Sequence, residues 1–377
     1  MKKIPLILSL ILIISLLAGC AGTPVVYYTN CTCPADAHTP APTAPVTNNT
    51  VDVPTESDGA WKTGLYINTS IADSKAATAE ADGVAKYDVL MAAVLVDGNG
   101  VIQDCVIDGV STSIEFNAAG EITTKLEVAP VTKNELGDAY GMRKASSIAA
   151  EWNEQAAAIA KFTVGKTVEE FEKGAISETG KAPEGTDLAS SATMYMSSYV
   201  NAVKMAVANA KPLGAGEGDT LKMATIMKID GSTAASPAKE GEDGAAGTAA
   251  KDGNAQLDID VVALTMNGET ITSCELNSTQ AKVAFDTTGA IKTADLSAPV
   301  LSKNELGAAY NMVLFGKAKA EWNEQSAAFA AYVTGKTPAQ VAGISVAEDT
   351  KPTDADLLAS VTIKVGGFMD LIAKACK

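Results

Sequence analysis

The sequence predicts an α+β fold made of two tandem copies of one domain, each a mostly antiparallel sheet packed by helices, behind a disordered N-terminal tether. The first observation behind this is an internal repeat. Lys133-Asn134-Glu135-Leu136-Gly137 recurs as Lys303-Asn304-Glu305-Leu306-Gly307, and Glu151-Trp152-Asn153-Glu154-Gln155 recurs as Glu321-Trp322-Asn323-Glu324-Gln325. Gly165-Lys166-Thr167 recurs as Gly335-Lys336-Thr337, and all three matches are 170 residues apart. Cys105 and Phe116 match Cys274 and Phe285 at an offset of 169. Collinear matches at nearly one offset mean duplication, with copies over 61–212 and 219–377. Each copy is long enough for a core of its own, so two separate cores are expected. The second observation is that each copy opens with apolar runs joined by tight turns. The third is that amphipathic helical patterns follow the strands, an order typical of α+β folds.

The first residues come before either copy. Lys2 and Lys3 precede an apolar run over 4–17, the charged head and short core of an export signal, too short for a comfortable span. The run ends in Leu17-Ala18-Gly19-Cys20, which resembles the lipobox of bacterial lipoproteins. That resemblance implies a signal peptide over 1–19, lipid on Cys20 and an anchor on the outer face of the cell membrane. Residues 20–60 are rich in Pro, Thr, Asn, Ala and Val with little periodicity, the composition of a disordered tether. At ~3 Å per residue its reach approaches ~100 Å. Cys31 and Cys33 lie in it as an exposed thiol pair.

The net charge is −16, and loss of Lys2 and Lys3 with the signal makes it two units more negative. Such a chain is a poor ligand for nucleic acid or anionic headgroups. The one histidine, His38, falls in the tether, so neither a histidine triad nor a histidine metal site is expected, and no catalytic residue is assigned.

Within the first copy, the run 87–96, the turn Asp97-Gly98-Asn99-Gly100 and the run 101–110 read as a hairpin. In the second copy, 257–266, Asn267-Gly268 and 270–276 read the same way. Short strands are expected near 112–116 and 120–124. Cys105 and Cys274 sit on matching strands as core thiols. Ile148, Trp152, Ile159 and Phe162 share a helical face, as do Ala318, Trp322, Phe329 and Tyr332. Gly-Lys-Thr lacks the upstream glycine of a phosphate loop and reads as a helix C-terminal turn. The last helix carries Met196, Val200, Val203 and Val207 on one face; Val365, Met369, Ile372 and Cys376 repeat the spacing. Residues 232–254 form a low-complexity insertion, expected as a mobile surface loop.

Each copy also holds an aspartate six residues before a threonine that is expected to open the last helix. Copy one reads Asp187-Leu188-Ala189-Ser190-Ser191-Ala192-Thr193; copy two reads Asp356-Leu357-Leu358-Ala359-Ser360-Val361-Thr362. This resembles the flavinylation motif of the FMN-binding domain family, Asp-x-x-(Ser/Thr)-(Gly/Ser)-Ala-Thr. Family members include subunits of the Rnf and Nqr redox pumps and surface lipoproteins with two such domains. The resemblance implies FMN joined by a phosphoester to Thr193 and Thr362 by an ApbE-type flavin transferase. Asp187, Ser190 and Ser191, with Asp356 and Ser360, would complete the cofactor-binding sites. It further implies an extracellular electron carrier, rather than a catalyst, fed by a membrane-bound reductase. Copy one has Ser191 where Gly is commonest. Copy two departs at Ala359 and Val361, and Val361 would crowd the approach. A threonine at a helix start would place its phosphoester near unpaired amides. The plainer reading of the aspartates and serines is helix capping. The loop Lys133, Asn134, Glu135, Tyr140 and Met142, repeated as Lys303, Asn304, Glu305, Tyr310 and Met312, is either a shared structural loop or a wall for the flavin, with Tyr or Met on the ring and Lys favouring its reduced anion. The alternative function is a non-redox binding module, duplicated for avidity towards wall polymer or solute.

Overall fold

The structure, a computed structural model, describes residues 59–240 and 247–377. The signal, Cys20, Cys31, Cys33, His38 and nearly all of the tether lie outside the described residues. Among the described residues no helix is long and apolar enough to cross a membrane.

The chain is mixed α+β. β1 (Lys62–Ser70), β2 (Gly83–Val96) and β3 (Ile102–Phe116) form one antiparallel sheet in the order β1-β2-β3. Five helices follow: α1 (Lys133–Leu136), α2 (Trp152–Thr163), α3 (Val168–Ala175), α4 (Asp187–Ser191) and α5 (Ser197–Ala208). The second copy repeats the plan. β4 (Thr220–Lys228), β5 (Gly253–Asn267) and β6 (Thr270–Phe285) form the second sheet, ordered β4-β5-β6. After them come α6 (Lys303–Leu306), α7 (Met312–Gly316), α8 (Trp322–Val333), α9 (Pro338–Ala342), α10 (Ala355–Ser360) and α11 (Gly366–Ala375).

The strand pattern dictates the layers. Side chains alternate along a strand, and in β2 the set Ala85, Tyr87, Val89, Met91, Ala93 and Leu95 enters a central cluster. The interleaved Ala92, Val94 and Val96 enter a second cluster with α2, α3 and α5. This is why residues 91–96 are apolar without interruption: that half of β2 is covered on both faces. β5 behaves alike, with Ala255, Leu257, Ile259, Val261 and Ala263 central and Val262, Leu264 and Met266 towards the helices. The order of layers is helices, sheet, sheet, helices.

The central cluster draws on both copies, so the expectation of two separate cores is overturned. Apolar faces on both sheets, each too large for its own helices to cover, bury each other. Phe116 and Phe285, equivalent positions, stack at 4.0 Å between centroids and 5° between planes. Equivalent residues meet on a two-fold axis, and other contacts obey the same pseudo-symmetry. Ala77 N–H donates to Gly289 O (2.9 Å), and Ala235 N–H to Gly120 O (2.8 Å). Lys211, at the end of the first copy, pairs with buried Glu275 at 2.8 Å, and Lys374 of α11 pairs with Glu135.

Local chemistry explains the element ends. Thr132 with Glu135 and Ser302 with Glu305 are capping boxes, so the repeated Lys-Asn-Glu-Leu-Gly is one capped turn closed by Gly137 and Gly307, both at φ 48°. Thr167 with Glu170 caps α3, and Thr337 with Gln340 caps α9. Gly165, at φ 79°, ends α2, so Gly-Lys-Thr is a helix C-terminal turn.

Several local expectations change. β1 and β4 are strands that the apolar runs did not reveal. Ile148 precedes α2 instead of joining its face, because α2 starts at Trp152. Residues 112–116 continue β3, and 120–124 contributes only the bridge Phe116–Ile122. The flanks of the insertion pair as Thr233–Asn254, Ser236–Lys251 and Lys239–Thr248; residues 241–246 lie outside the described residues. Backbone pairing of the flanks needs no apolar side chains, which is why composition pointed to a loop.

Candidate functional site

Thr193 does not open α5. It lies in an extended link between α4 and α5, and Thr362 lies likewise between α10 and α11. Met196 and Val365 are the residues that enter those helices. A helix dipole acts within its first turn, so helix amides are not what addresses either threonine. Each is instead addressed by a buried glutamine. Gln155 Oε1 accepts from Thr193 N–H (2.9 Å) and from its hydroxyl (3.2 Å). Gln325 Oε1 accepts from Thr362 N–H (2.8 Å) and hydroxyl (3.1 Å). Both glutamines are 0% exposed, whereas both threonines are half-buried.

The glutamine is set by its helix. Trp152 begins α2 and Trp322 begins α8, after Glu151 and Glu321, so the glutamine falls one turn in, on the sheet-facing side. Its amide donates to Ala150 O (3.1 Å) in copy one and Ala320 O (2.8 Å) in copy two. Gln155 also donates to Ser146 Oγ (3.1 Å). Glu151, nearly buried, accepts from the N–H groups of Met142 (2.8 Å) and Arg143 (3.0 Å). Glu321 holds Met312 and Val313 the same way. The carboxylate thus ties the loop to the start of the helix that carries the glutamine.

The repeated loop divides by role. Asn134 and Glu135 are structural: Asn134 Nδ2 donates to Ile107 O (2.9 Å), and Glu135 closes its capping box. Asn304 and Glu305 repeat this. Lys133, Tyr140 and Met142 stay with the site. Lys133 Nζ sits 5.2 Å from the Tyr140 ring and 5.1 Å from the Trp152 ring. Lys303 Nζ sits 5.3 Å from Tyr310 and 4.9 Å from Trp322. Among the described residues neither ammonium has a carboxylate within ion-pair distance. In so acidic a chain, two equivalent lysines held by aromatic faces alone are available to an anion. Trp152 Nε1 donates to Tyr199 OH (3.0 Å), which contacts Met194, the neighbour of Thr193. In copy two Phe368 packs edge-on against Trp322 at 5.8 Å.

The motif's other residues lie at the surface. Asp187, Ser190 and Ser191 are exposed on α4, and Asp356 and Ser360 on α10. They are not the caps. Thr186 caps α4 through Ala189 N–H, and Asp354 caps α10 through Asp356 and Leu357 N–H. Ser190 and Ser191 hydroxyls donate to Asp187 O, at 2.7 and 2.9 Å. Ala192 and Val361 are buried in the helix-side cores, so Val361 does not crowd the threonine from outside.

The two sites differ at their rim. Arg143 pairs with Asp138 (2.9 Å) and Glu154 (3.1 Å) in copy one. Copy two has Val313, Leu314 and Phe315 over the matching positions, and Phe315 is 79% exposed.

Sequence reasoning missed Gln155 and Gln325. Their signal was present, since a glutamine repeated on the apolar side of an amphipathic pattern must find a polar partner. Asn153 Oδ1 and Asn323 Oδ1, equivalent atoms two residues away, are buried without a hydrogen-bond donor. Two residues along a helix lie about 200° apart, so these acceptors point away from the glutamines and are not part of the threonine site. The lysines, held over aromatic rings, suit an anionic group such as a phosphate. Among the described residues no group of His, Cys, Asp and Glu is arranged to hold a metal ion. Burial pushes the Cys105 thiol up to about 12, which keeps it an inert packing group. Comparison of the chain with protein-family models, curated proteins and solved structures finds no match.

Proposed function

We propose that the protein is an extracellular, lipid-anchored flavoprotein that relays electrons through FMN esterified to Thr193 and Thr362. One observation carries the reading. The two threonines picked out by the motif occupy the same place in both copies, and each donates its hydroxyl to a buried glutamine on the helix whose first residue, a tryptophan, carries an unpaired lysine over its ring.

In this reading each copy is one cofactor-bearing module of a tandem pair. The flavin, when bound, supplies reversible one- and two-electron chemistry. The chain's own residues do the rest. Gln155 and Gln325 fix the attachment points, and Lys133 and Lys303 favour added negative charge. Trp152 and Trp322 hold the lysines and limit water on the sheet side. The exposed Asp187 and Asp356 face the flavin transferase, a partner of the ApbE type. A membrane-bound reductase supplies electrons, Cys20 anchors the chain and the tether sets its reach.

Intact mass after co-expression with a flavin transferase tests the proposal. Two FMN additions that survive denaturation are expected. A folded protein with no addition favours the non-redox binding module.

A further inference from the structure

We propose that Gln155 and Gln325 are positioning residues that present each threonine hydroxyl for esterification and keep hold of the threonine backbone afterwards. This rests on the covalent-flavin reading. The amide of each glutamine is oriented by its donor side, because Nε2 is spent on Ala150 O and Ser146 Oγ in copy one and on Ala320 O in copy two. Oε1 must therefore face the threonine. Its two lone pairs are both used, one by the N–H and one by the O–H of the same residue. A threonine hydroxyl free to rotate has three staggered positions; the hydrogen bond selects one.

The chemistry defines what this can and cannot do. Esterification forms a bond between threonine Oγ1 and phosphorus. It breaks a P–O bond in a flavin-bearing phosphoanhydride donor, whose nucleotide phosphate departs with the bonding electrons, and the hydroxyl proton passes through a base to that phosphate or to solvent. An amide is no base at neutral pH, so the proton must be removed by a group on the transferase. The glutamine contributes geometry alone, and misplacement of a reacting atom by about 1 Å can cost about 100-fold in rate.

After the step, Oγ1 carries no hydrogen. It and Oε1 would then face each other as two acceptors about 3 Å apart, with no bond between them. The side chain therefore turns to another rotamer and carries the linkage outward. The backbone N–H still donates to Oε1, so the polypeptide at the attachment point stays pinned.

The two copies provide an internal control. The full chain, a flavin transferase and a flavin dinucleotide are combined, and FMN on the Thr193 and Thr362 peptides is followed by mass. Gln155→Leu is expected to slow Thr193 at least about tenfold at saturating chain, with the KM for the chain within about twofold, because the exposed α4 surface is intact. Thr362 in the same molecules keeps its wild-type rate, and Gln325→Leu gives the mirror result. An unchanged Thr193 rate in Gln155→Leu, with the wild type modified, overturns the positioning role. No modification in the wild type overturns the covalent-flavin reading itself. If Gln155→Leu does not melt cooperatively, Gln155→Asn, one methylene shorter, carries the same expectation. A measurement on wild type alone also decides: the Thr193 amide must stay protected from hydrogen exchange after modification, and loss of that protection contradicts the retained backbone contact.

Discussion

Phe116 and Phe285 stack face to face at 4.0 Å, each fully buried, although 169 residues separate them. They are the same residue of the repeat, so the stack marks the pseudo-two-fold axis through a core that both copies build. Large-to-small changes at such sites cost about 3–5 kcal/mol. Phe285→Ala should therefore lower the stability of the whole chain by that amount in denaturant titration, with one cooperative transition. Separate transitions, with only the second copy weakened, would mean that the cores are independent.

The same relationship bears on fragments. Residues 59–218 alone would expose the inner face of the first sheet, including Leu65, Ile67, Tyr87 and Met91. Light scattering should show self-association, since a sheet face that meets its own equivalent in the full chain is self-complementary. A monomer with a cooperative melt would contradict the shared core.

Asp108 offers a pH test. Burial pushes its carboxyl up to about 6, against hydrogen bonds from Thr132, Asn134 and Gly109 that oppose the shift. The folded state then holds the proton more tightly than the unfolded state does. Stability from this group is full below the unfolded pKa and is lost as pH rises through about 6, by about 3 kcal/mol. Copy two has Asn277 here, whose Oδ1 accepts from the matching Asn304 N–H at 3.3 Å and whose Nδ2 donates to Ser302 Oγ at 3.1 Å. Asp108→Asn should copy that arrangement, raise stability at pH 7 and flatten the pH dependence between about 4 and 6. Denaturation midpoints across that range, unchanged from wild type, would refute the assignment.

Lys133 and Lys303 should set redox properties locally. Lys133→Met removes the charge but keeps an unbranched apolar chain against Tyr140 and Trp152. In a Thr362→Ala background, which leaves one flavin, the potential should fall by on the order of 30 mV or more, equivalent to about 1.4 kcal/mol for two electrons. An unchanged potential would make the lysine a packing residue.

Much of this plan was legible in the sequence, for physical reasons. The duplication, the hairpins at Asp97–Gly100 and Asn267-Gly268, and the buried face of Met196, Val200 and Val203 rest on local chemistry and periodicity. β1 was not legible, because Thr63, Gly64 and Asn68 interrupt its apolar run. Gly64 is there for packing: a Cβ on it would lie 2.0 Å from Ala206 O, so only glycine lets α5 approach. The sheet-on-sheet core was hidden because the apolar faces do not say which partner covers them. At the site, the motif located Thr193 and Thr362, but the link that holds them and the glutamines that grip them depend on α2 and α8 packing beside α4 and α10. Such contacts, 37 and 38 residues apart, leave no periodic trace.

Peptide mass mapping of the full chain after treatment with a flavin transferase tests the central claim most directly. The account predicts FMN on the peptides holding Thr193 and Thr362, one fewer in Thr193→Ala or Thr362→Ala, and a colourless, still folded double variant. Well-folded protein with both threonines unmodified, or with FMN attached elsewhere, would contradict it.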